Sequence, residues 1–194
     1  KVFYGPVRKN PELMIISHNP GGGEKEFEAE DKKRFENGDF TPPESTPFAT
    51  KHRMSRQMQK IFSGKYESVL ASSVTFPIIF FRSRNTSELN AQERFQRHEM
   101  ERFCLLKTKE IIETVAPKRI LVIGFRTLEL LERTLGIFDE EEFLHIKKGE
   151  RLLVRKARKG KVSILGIMHI TGARLNTEEK LFIQKQVHVF LGNQ

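Results

Sequence analysis

Short uncharged apolar runs punctuate the chain and predict the strands of its core. Four runs have the length and composition of buried strands, and they cover residues 13–16, 69–81, 119–124 and 162–168. The second run contains Pro77, and we expect its strand to end near Ser73 because proline disfavours a central strand. Two weaker runs, 143–146 and 152–154, predict an edge hairpin that turns at residues 148–150.

Apolar residues at helical spacing fill the segments between these runs. The predicted helices cover residues 24–37, 52–63, 91–115, 127–135 and 177–191. Thr177 is the predicted cap of the last helix, since two acids follow it in the first turn. Alternation of strands and helices is typical of an α/β protein. We therefore predict one domain over residues 1–194, a three-layer α/β/α sandwich with a short four-stranded parallel sheet plus an edge β-hairpin.

Composition narrows the class of protein further. No uncharged run approaches the length of a bilayer span, so we expect no membrane-spanning segment. The single cysteine, Cys104, excludes an intrachain disulfide and a four-cysteine metal site, and it lies on an apolar helical stripe that favours a packing role. We expect a monomer without metal or cofactor that is intracellular, cytoplasmic in a prokaryote or nuclear in a eukaryote.

The chain is basic, and its charge is unevenly spread. A formal net charge of +9 indicates a polyanionic partner, most commonly nucleic acid. Between Lys147 and Lys161 lie eight bases against one acid, Glu150. These bases suit two interpretations equally well. They could block aggregation at an exposed sheet edge, or they could bind phosphates.

Polar residues follow the first and last apolar runs directly. Asn19 and Pro20 come after the first, and His169 comes after the last. Because the carboxyl ends of parallel strands meet at one edge of a sheet, we expect the amide and the imidazole to face one pocket. The glycines at 21–23 lack the spacing of a P-loop or a dinucleotide-binding loop, so a nucleoside triphosphate site is not expected.

Three segments resemble motifs of the uracil-DNA glycosylase superfamily. Residues 17–21, Ser-His-Asn-Pro-Gly, look like the Gly-x-Asn-Pro-Gly motif of its mismatch-specific and single-strand-selective branches. Residues 169–174, His-Ile-Thr-Gly-Ala-Arg, are similar to the second motif of the family. Residues 46–49, Thr-Pro-Phe-Ala, resemble the segment that supplies the ring stacked on a flipped base. The order and rough spacing of these pieces cover nearly the whole chain.

The resemblance implies a DNA N-glycosylase that removes a deaminated base, uracil by default, after the base is flipped out of DNA. Asn19 would orient the attacking water, and His169 would donate a hydrogen bond to the departing base. The expected base-binding residues are His18, Phe48 and Ser73. The expected DNA-binding residues are basic: Arg82, Arg84, Lys147, Lys148, Lys156, Arg158 and Arg174.

Two other functions stay open at this point. Ser73 and the pair Ile170–Thr171 depart from the family pattern, which favours a nucleic-acid-binding module that keeps the fold without cleaving a bond. A hydrolase acting on free nucleosides or nucleotides is the third candidate. Asn19-Pro20-Gly21 is also a good generic turn, and that motif alone favours the turn interpretation.

Overall fold

A six-stranded mixed sheet organises the part of the chain that the structure, a computed structural model, describes. The described residues are 3, 5–20, 25, 32, 36–38, 44, 46–83, 88, 91–147 and 150–192. The strands are β1 (Met14–Ser17), β2 (Val74–Pro77), β3 (Arg119–Ile123), β4 (Glu140–Leu144), β5 (Val154–Lys159) and β6 (Val162–Ile167). Their spatial order is β2-β1-β3-β6-β5-β4. The first four in this order are parallel, and β5 and β4 continue the sheet in antiparallel pairing.

Helices cover both faces of this sheet. Five α-helices have their bounds within the described residues: α1 (Arg53–Ile61), α2 (Glu67–Ala71), α3 (Arg94–Val115), α4 (Phe125–Leu135) and α5 (Thr177–Gly192). The predicted α/β/α sandwich, with four parallel strands and an antiparallel edge, is confirmed. Most of the predicted helix at 24–37 and the glycines at 21–23 lie outside the described residues. None of the helices in the described ranges combines the length and apolarity needed to cross a membrane.

Alternate residues of the central strands build two separate cores. Ile15 packs on one side of the sheet with Met58 of α1 and Ile183 of α5. Its neighbour Ile16 packs on the other side with Cys104 of α3. A strand that is buried on both faces needs apolar residues at every position, which explains the continuous apolar runs in the sequence. Complete burial of one such isoleucine contributes about 2 kcal/mol.

The second strand begins where the sequence predicted that it would end. Residues 67–71 form α2, and β2 starts directly after Ser73. Pro77 occupies the last position of β2, paired with Ser17 of β1. Among the described strands β2 is the outermost on this side of the sheet, so the missing N–H of Pro77 costs no ladder hydrogen bond. The prediction failed because proline is excluded from central strands and not from the end of an edge strand.

The hairpin is longer than predicted, and its basic run lies on a strand. β5 covers residues 154–159 and turns at Gly160 into β6. β4 covers Glu140–Leu144 instead of 143–146, and its acidic residues lie opposite the bases of β5. The resulting ion pairs are Arg158–Glu140 at 2.6 Å, Lys156–Glu142 at 3.1 Å, and Arg155–Glu141.

Asn176, and not the predicted Thr177, caps α5. Its Oδ1 accepts the Glu179 N–H at 2.9 Å, while Glu179 Oε2 accepts the Asn176 N–H at 2.7 Å. This reciprocal arrangement is a capping box. Arg151 holds the same carboxylate with two hydrogen bonds of 2.5 Å each. The Arg151 guanidinium keeps the pKa of Glu179 below its usual value.

Removal of the cap should destabilise the domain measurably. Asn176→Ala deletes the side-chain acceptor, and we expect a loss of about 1 kcal/mol. For a domain of this size that loss corresponds to a decrease in Tm of about 3 °C, measured by circular dichroism. Asn176→Ser keeps a capping oxygen and should retain most of the stability. Equal losses in the two variants would contradict the capping role.

Candidate binding cleft at the carboxyl edge of the sheet

A cleft of about 860 Å³ opens at the carboxyl ends of the parallel strands. Its lining includes residues that directly follow β1, β3 and β6. The chain passes from β2 across β1 to β3, so the direction of winding reverses beside β1. Open α/β sheets bind ligands in the crevice at such a switch point. The topology therefore marks this cleft as the candidate functional site.

The loop after β1 is held by the segment that follows β2. The Ile78 N–H donates to the Ser17 carbonyl, and the Ile79 N–H donates to the His18 carbonyl, both at 2.8 Å. The Asn19 Nδ2 donates to Ser83 Oγ at 2.8 Å and to the Pro20 carbonyl at 3.1 Å. These two bonds orient the amide, and the polar atom that remains is its acceptor, Oδ1.

His169, two residues after the end of β6, is fixed in one tautomer by its own loop. The Gly172 N–H donates to His169 Nδ1 at 3.0 Å, and the Thr171 hydroxyl lies 3.4 Å from the same atom. A nitrogen that accepts a backbone N–H carries no proton in the neutral ring, so the proton is on Nε2. Burial lowers the pKa of His169, which keeps the ring neutral at pH 7.

Gly124, which precedes α4, lies beside the His169 ring. Its φ of +93° favours glycine, whereas a Cβ there would make only an ordinary contact, 3.6 Å from His169 Cδ2. On the other side of the loop, Arg151 donates to the Ala173 carbonyl at 3.0 Å. The imidazole is therefore supported by a strand end, its own loop and the cap of α5.

His18 is a second neutral imidazole in the cleft. Burial is the main cause that lowers its pKa, followed by the positive charge of Arg126 and by His169. The Thr127 hydroxyl lies 3.5 Å from His18 Nδ1. Both rings can exchange hydrogen bonds with a ligand without adding positive charge at neutral pH.

Phe48 forms a rigid aromatic wall of the cleft. It lies in a short 3₁₀-helix, Pro47–Ala49, which is capped by Thr46. Gln59 of α1 donates to the Phe48 carbonyl at 2.6 Å, and Ser55 donates to the Pro47 carbonyl at 3.1 Å. The backbone that carries the ring is thus fixed to α1.

The cleft suits a neutral or anionic ligand with flat apolar faces. Among the described residues that line it, none is a carboxylate or a lysine, and Arg126 is the charged one. Arg126 pairs with Glu129 at 3.2 Å. Three phenylalanines contribute to the lining: Phe48, Phe76 and Phe125. Across the described ranges, no three His, Cys, Asp or Glu side chains group as metal ligands would.

The structure brings four of the predicted site residues together. His18, Asn19, Phe48 and His169 all line the cleft. Ser73, the fifth residue that was predicted to bind the base or to act in catalysis, does not line the cleft. Ser73 is 1% exposed at the amino end of β2 and donates to the Leu70 carbonyl at 2.8 Å. Its placement follows from the start of β2, which lies after Ser73 and not before it.

The predicted DNA-binding residues are scattered. Lys156 and Arg158 lie on β5 and pair with glutamates. Lys147 and Arg174 are exposed, and Arg82 is half-buried. Arg84 and Lys148 lie outside the described residues.

Cys104 packs as the sequence predicted. It is fully buried, and burial raises the pKa of its thiol. The Phe80 N–H donates to its Sγ at 3.3 Å.

Sequence reasoning missed the contribution of the first turn of α4, which follows β3. Thr127 and Arg126 both face the cleft, and Ser83 orients Asn19. The signal was present, because an apolar run followed by Gly124 and a helix has the same pattern as the other two strand ends. Ser83 carried no comparable signal, since its position depends on the path of the chain after β2.

Comparison with known proteins assigns no family. No family model matches the chain, and no curated protein matches it. A solved structure of a Haemophilus influenzae protein of the DUF1537 family has a TM-score of 0.39 and 10% sequence identity, covering 93% of this chain and 41% of that chain. The chain thus spans about two fifths of the length of that protein. A similarity at this level supports no statement about function.

These findings correct the resemblance stated above. Neither a family model nor a curated protein supports the uracil-DNA glycosylase superfamily, and the structural neighbour belongs to a different family. The predicted membership and the predicted DNA glycosylase function are therefore wrong. The two alternative functions gain no support from these comparisons either.

The tautomer of His169 can be measured directly. We expect the long-range ¹⁵N–¹H spectrum of the protein at pH 7 to show a protonated Nε2 and an unprotonated Nδ1, because the Gly172 N–H occupies Nδ1. Thr171→Val should keep this pattern, since the backbone donor remains. A protonated Nδ1 would contradict the arrangement of the loop.

The two imidazoles should make stability depend on pH. Their folded-state pKa values lie below the ordinary 6.5, so the unfolded chain binds protons that the folded chain does not. Stability is then complete above pH 6.5 and falls as the pH decreases below it. His18→Gln with His169→Gln should remove much of this decrease, as measured by urea unfolding between pH 7 and pH 5. An unchanged pH profile in the double variant would show that these rings are not neutral when folded.

Proposed function

We propose that the cleft binds a small planar molecule with a ring carbonyl beside a ring N–H, as in heterocyclic lactams. We further propose that it is an enzyme site in which His169 stabilises negative charge on that carbonyl oxygen. One observation carries both statements: a neutral imidazole with a fixed tautomer and an oriented amide line a single cleft with an aromatic wall.

The polar groups match the edge of a lactam. His169 offers a donor at Nε2, and Asn19 offers an acceptor at Oδ1. A lactam presents the complementary pair, a carbonyl acceptor next to an N–H donor. The phenylalanine rings supply apolar surface for the two faces of a flat molecule. Ligand clefts commonly combine a mostly apolar lining with a few placed polar groups of this kind.

Neutrality of the donor favours catalysis over simple binding. A hydrogen bond from a neutral N–H is modest while the carbonyl is uncharged, and it becomes charge-assisted as the oxygen gains negative charge. A buried site strengthens the interaction, because little solvent screens it. Arg126, which pairs with Glu129 at 3.2 Å, adds a positive charge to the lining of the cleft.

Calorimetric titration with uracil and barbiturate tests the proposal. Uracil presents a neutral lactam edge, and the carbonyl oxygens of barbiturate share a negative charge at pH 7. We expect barbiturate to bind at least about tenfold more tightly than uracil, a difference of about 1.4 kcal/mol. His169→Ala should weaken the binding of both ligands and abolish the preference for barbiturate, because the hydrogen-bond donor is lost. Asn19→Ala should decrease the affinity for uracil by about tenfold, in line with one lost hydrogen bond.

Two controls separate a specific site from general adsorption. His52→Ala removes an exposed imidazole outside the lining of the cleft and should leave both affinities unchanged. The ligand 1,3-dimethyluracil has no ring N–H and should bind more weakly than uracil. Equal affinity for uracil and its dimethyl derivative would disprove the lactam edge. Persistence of the barbiturate preference in His169→Ala would disprove the role of the imidazole.

A further inference from the structure

Two packed helices on one face of the sheet, with the turn that follows the first of them, carry four lysines that form no ion pair with an acid among the described residues. α1 and α5 lie side by side, where Gln184 donates to the Lys60 carbonyl at 2.9 Å. A crevice of about 270 Å³ between them is lined by Lys60, Lys180 and Gln57. A neighbouring crevice of about 580 Å³ is lined by Lys65 and Lys185. Gln184 lines both crevices, so the four lysines form one surface, here called the lysine face.

No carboxylate among the described residues lines either crevice. Of the acids on the adjoining segments, Glu179 holds Arg151, and Glu67 and Glu178 line neither crevice. The basic hairpin is different. The crevice of about 570 Å³ beside it is lined by three glutamates together with its bases. The lysine face therefore keeps its positive charge, whereas β5 loses most of its own to β4.

We propose that the lysine face binds the phosphodiester backbone of a nucleic acid. Lysines act as point charges toward phosphates, and the side chain of Gln57 adds a hydrogen-bond donor for phosphate and sugar oxygens. The face offers no free aromatic ring for stacking on bases, because the Tyr66 hydroxyl donates to the His188 carbonyl at 2.9 Å and its ring packs on His188. Contacts of this type hold the backbone and do not distinguish sequences.

A membrane surface is the less suitable partner. Stable attachment to a bilayer needs several apolar side chains on the same face as the bases. Leu181, which is 59% exposed, and Val189, which is 39% exposed, are the large apolar side chains that protrude beside the lysines. These two side chains bury too little surface for such attachment. The lysine face also lies apart from the lining of the cleft, so this proposal does not depend on the proposed function.

Fluorescence anisotropy with a labelled DNA duplex of mixed sequence tests the proposal. We expect the wild-type protein to bind with a strong dependence on salt. The quadruple variant with Lys60, Lys65, Lys180 and Lys185 changed to Gln should reduce the slope of log K against log salt by about 3.6, that is, about 0.9 for each phosphate contact. Its affinity at moderate salt should decrease by about 100-fold or more. Thermal unfolding verifies that the variant folds.

A matched control removes the same amount of charge from outside the lysine face. The quadruple change of Arg8, Lys9, Arg94 and Lys109 to Gln affects exposed bases that line neither of the two crevices. It should alter the affinity by less than about threefold and leave the slope nearly unchanged. If the quadruple lysine variant does not fold, Lys60→Gln and Lys180→Gln should each reduce the slope by about 1.

Three results would overturn the proposal. The first is an equal loss of affinity in the control, which would indicate a response to net charge alone. The second is an equal loss of affinity in the double variant with Lys156 and Arg158 changed to Gln, which would indicate that the hairpin binds the duplex. The third is binding to phosphatidylserine vesicles without binding to the duplex. His169→Ala should leave duplex affinity unchanged, so failure of the cleft proposal and failure of this one are distinguishable.

Discussion

The parallel register of β1, β3 and β6 is the constraint on which the site depends. Ile16 pairs with Val122, and Ile123 pairs with Ile167, so the three strands end at the same level of the sheet. The residues that follow, His18, Gly124 and, one position further from its strand, His169, all line the cleft without any long loop between strand and site. A shift of one residue in any of these strands would move each side chain into the core on the other side of the sheet, where it would meet neighbours of different shape and pack less well. Packing energy in the core thus fixes the position of polar groups at the rim.

Burial that fixes these groups also sets their charge. His18 and His169 lie where ionisation is costly, and Nδ1 of His169 accepts a backbone N–H that only an unprotonated nitrogen can accept. The cleft loses the electrostatic attraction that an imidazolium would supply to every anion. It gains a donor whose hydrogen bond strengthens only when charge develops on the ligand. A site of this type binds a molecule more tightly when its carbonyl oxygen becomes negatively charged than when that oxygen is neutral.

Sequence patterns were sufficient for elements that are buried on two faces, and insufficient where an element is short or lies at an edge. The runs around Ile15, Leu121 and Leu165 could only be strands of a covered sheet, and the convergence of Asn19 and His169 followed from that sheet. β2 was misplaced because four strand residues and a five-residue helix share one apolar run. Short motifs around Asn19 and His169 misled the family assignment, because strand-end turns of similar composition arise in many α/β proteins.

Density of bases along the sequence is a poor guide to positive surface. Residues 147–161 hold the densest basic run, yet β4 contributes consecutive glutamates that lie opposite it in antiparallel register. Pairing of this kind depends on tertiary structure, and no local pattern reveals it. The lysines of α1 and α5 are far apart in sequence and unremarkable there, and they become one surface because Met58 and Ile183 bury the seam between their helices. Packing of the apolar core, which carries no charge itself, therefore determines where basic side chains come together as an exposed positive surface.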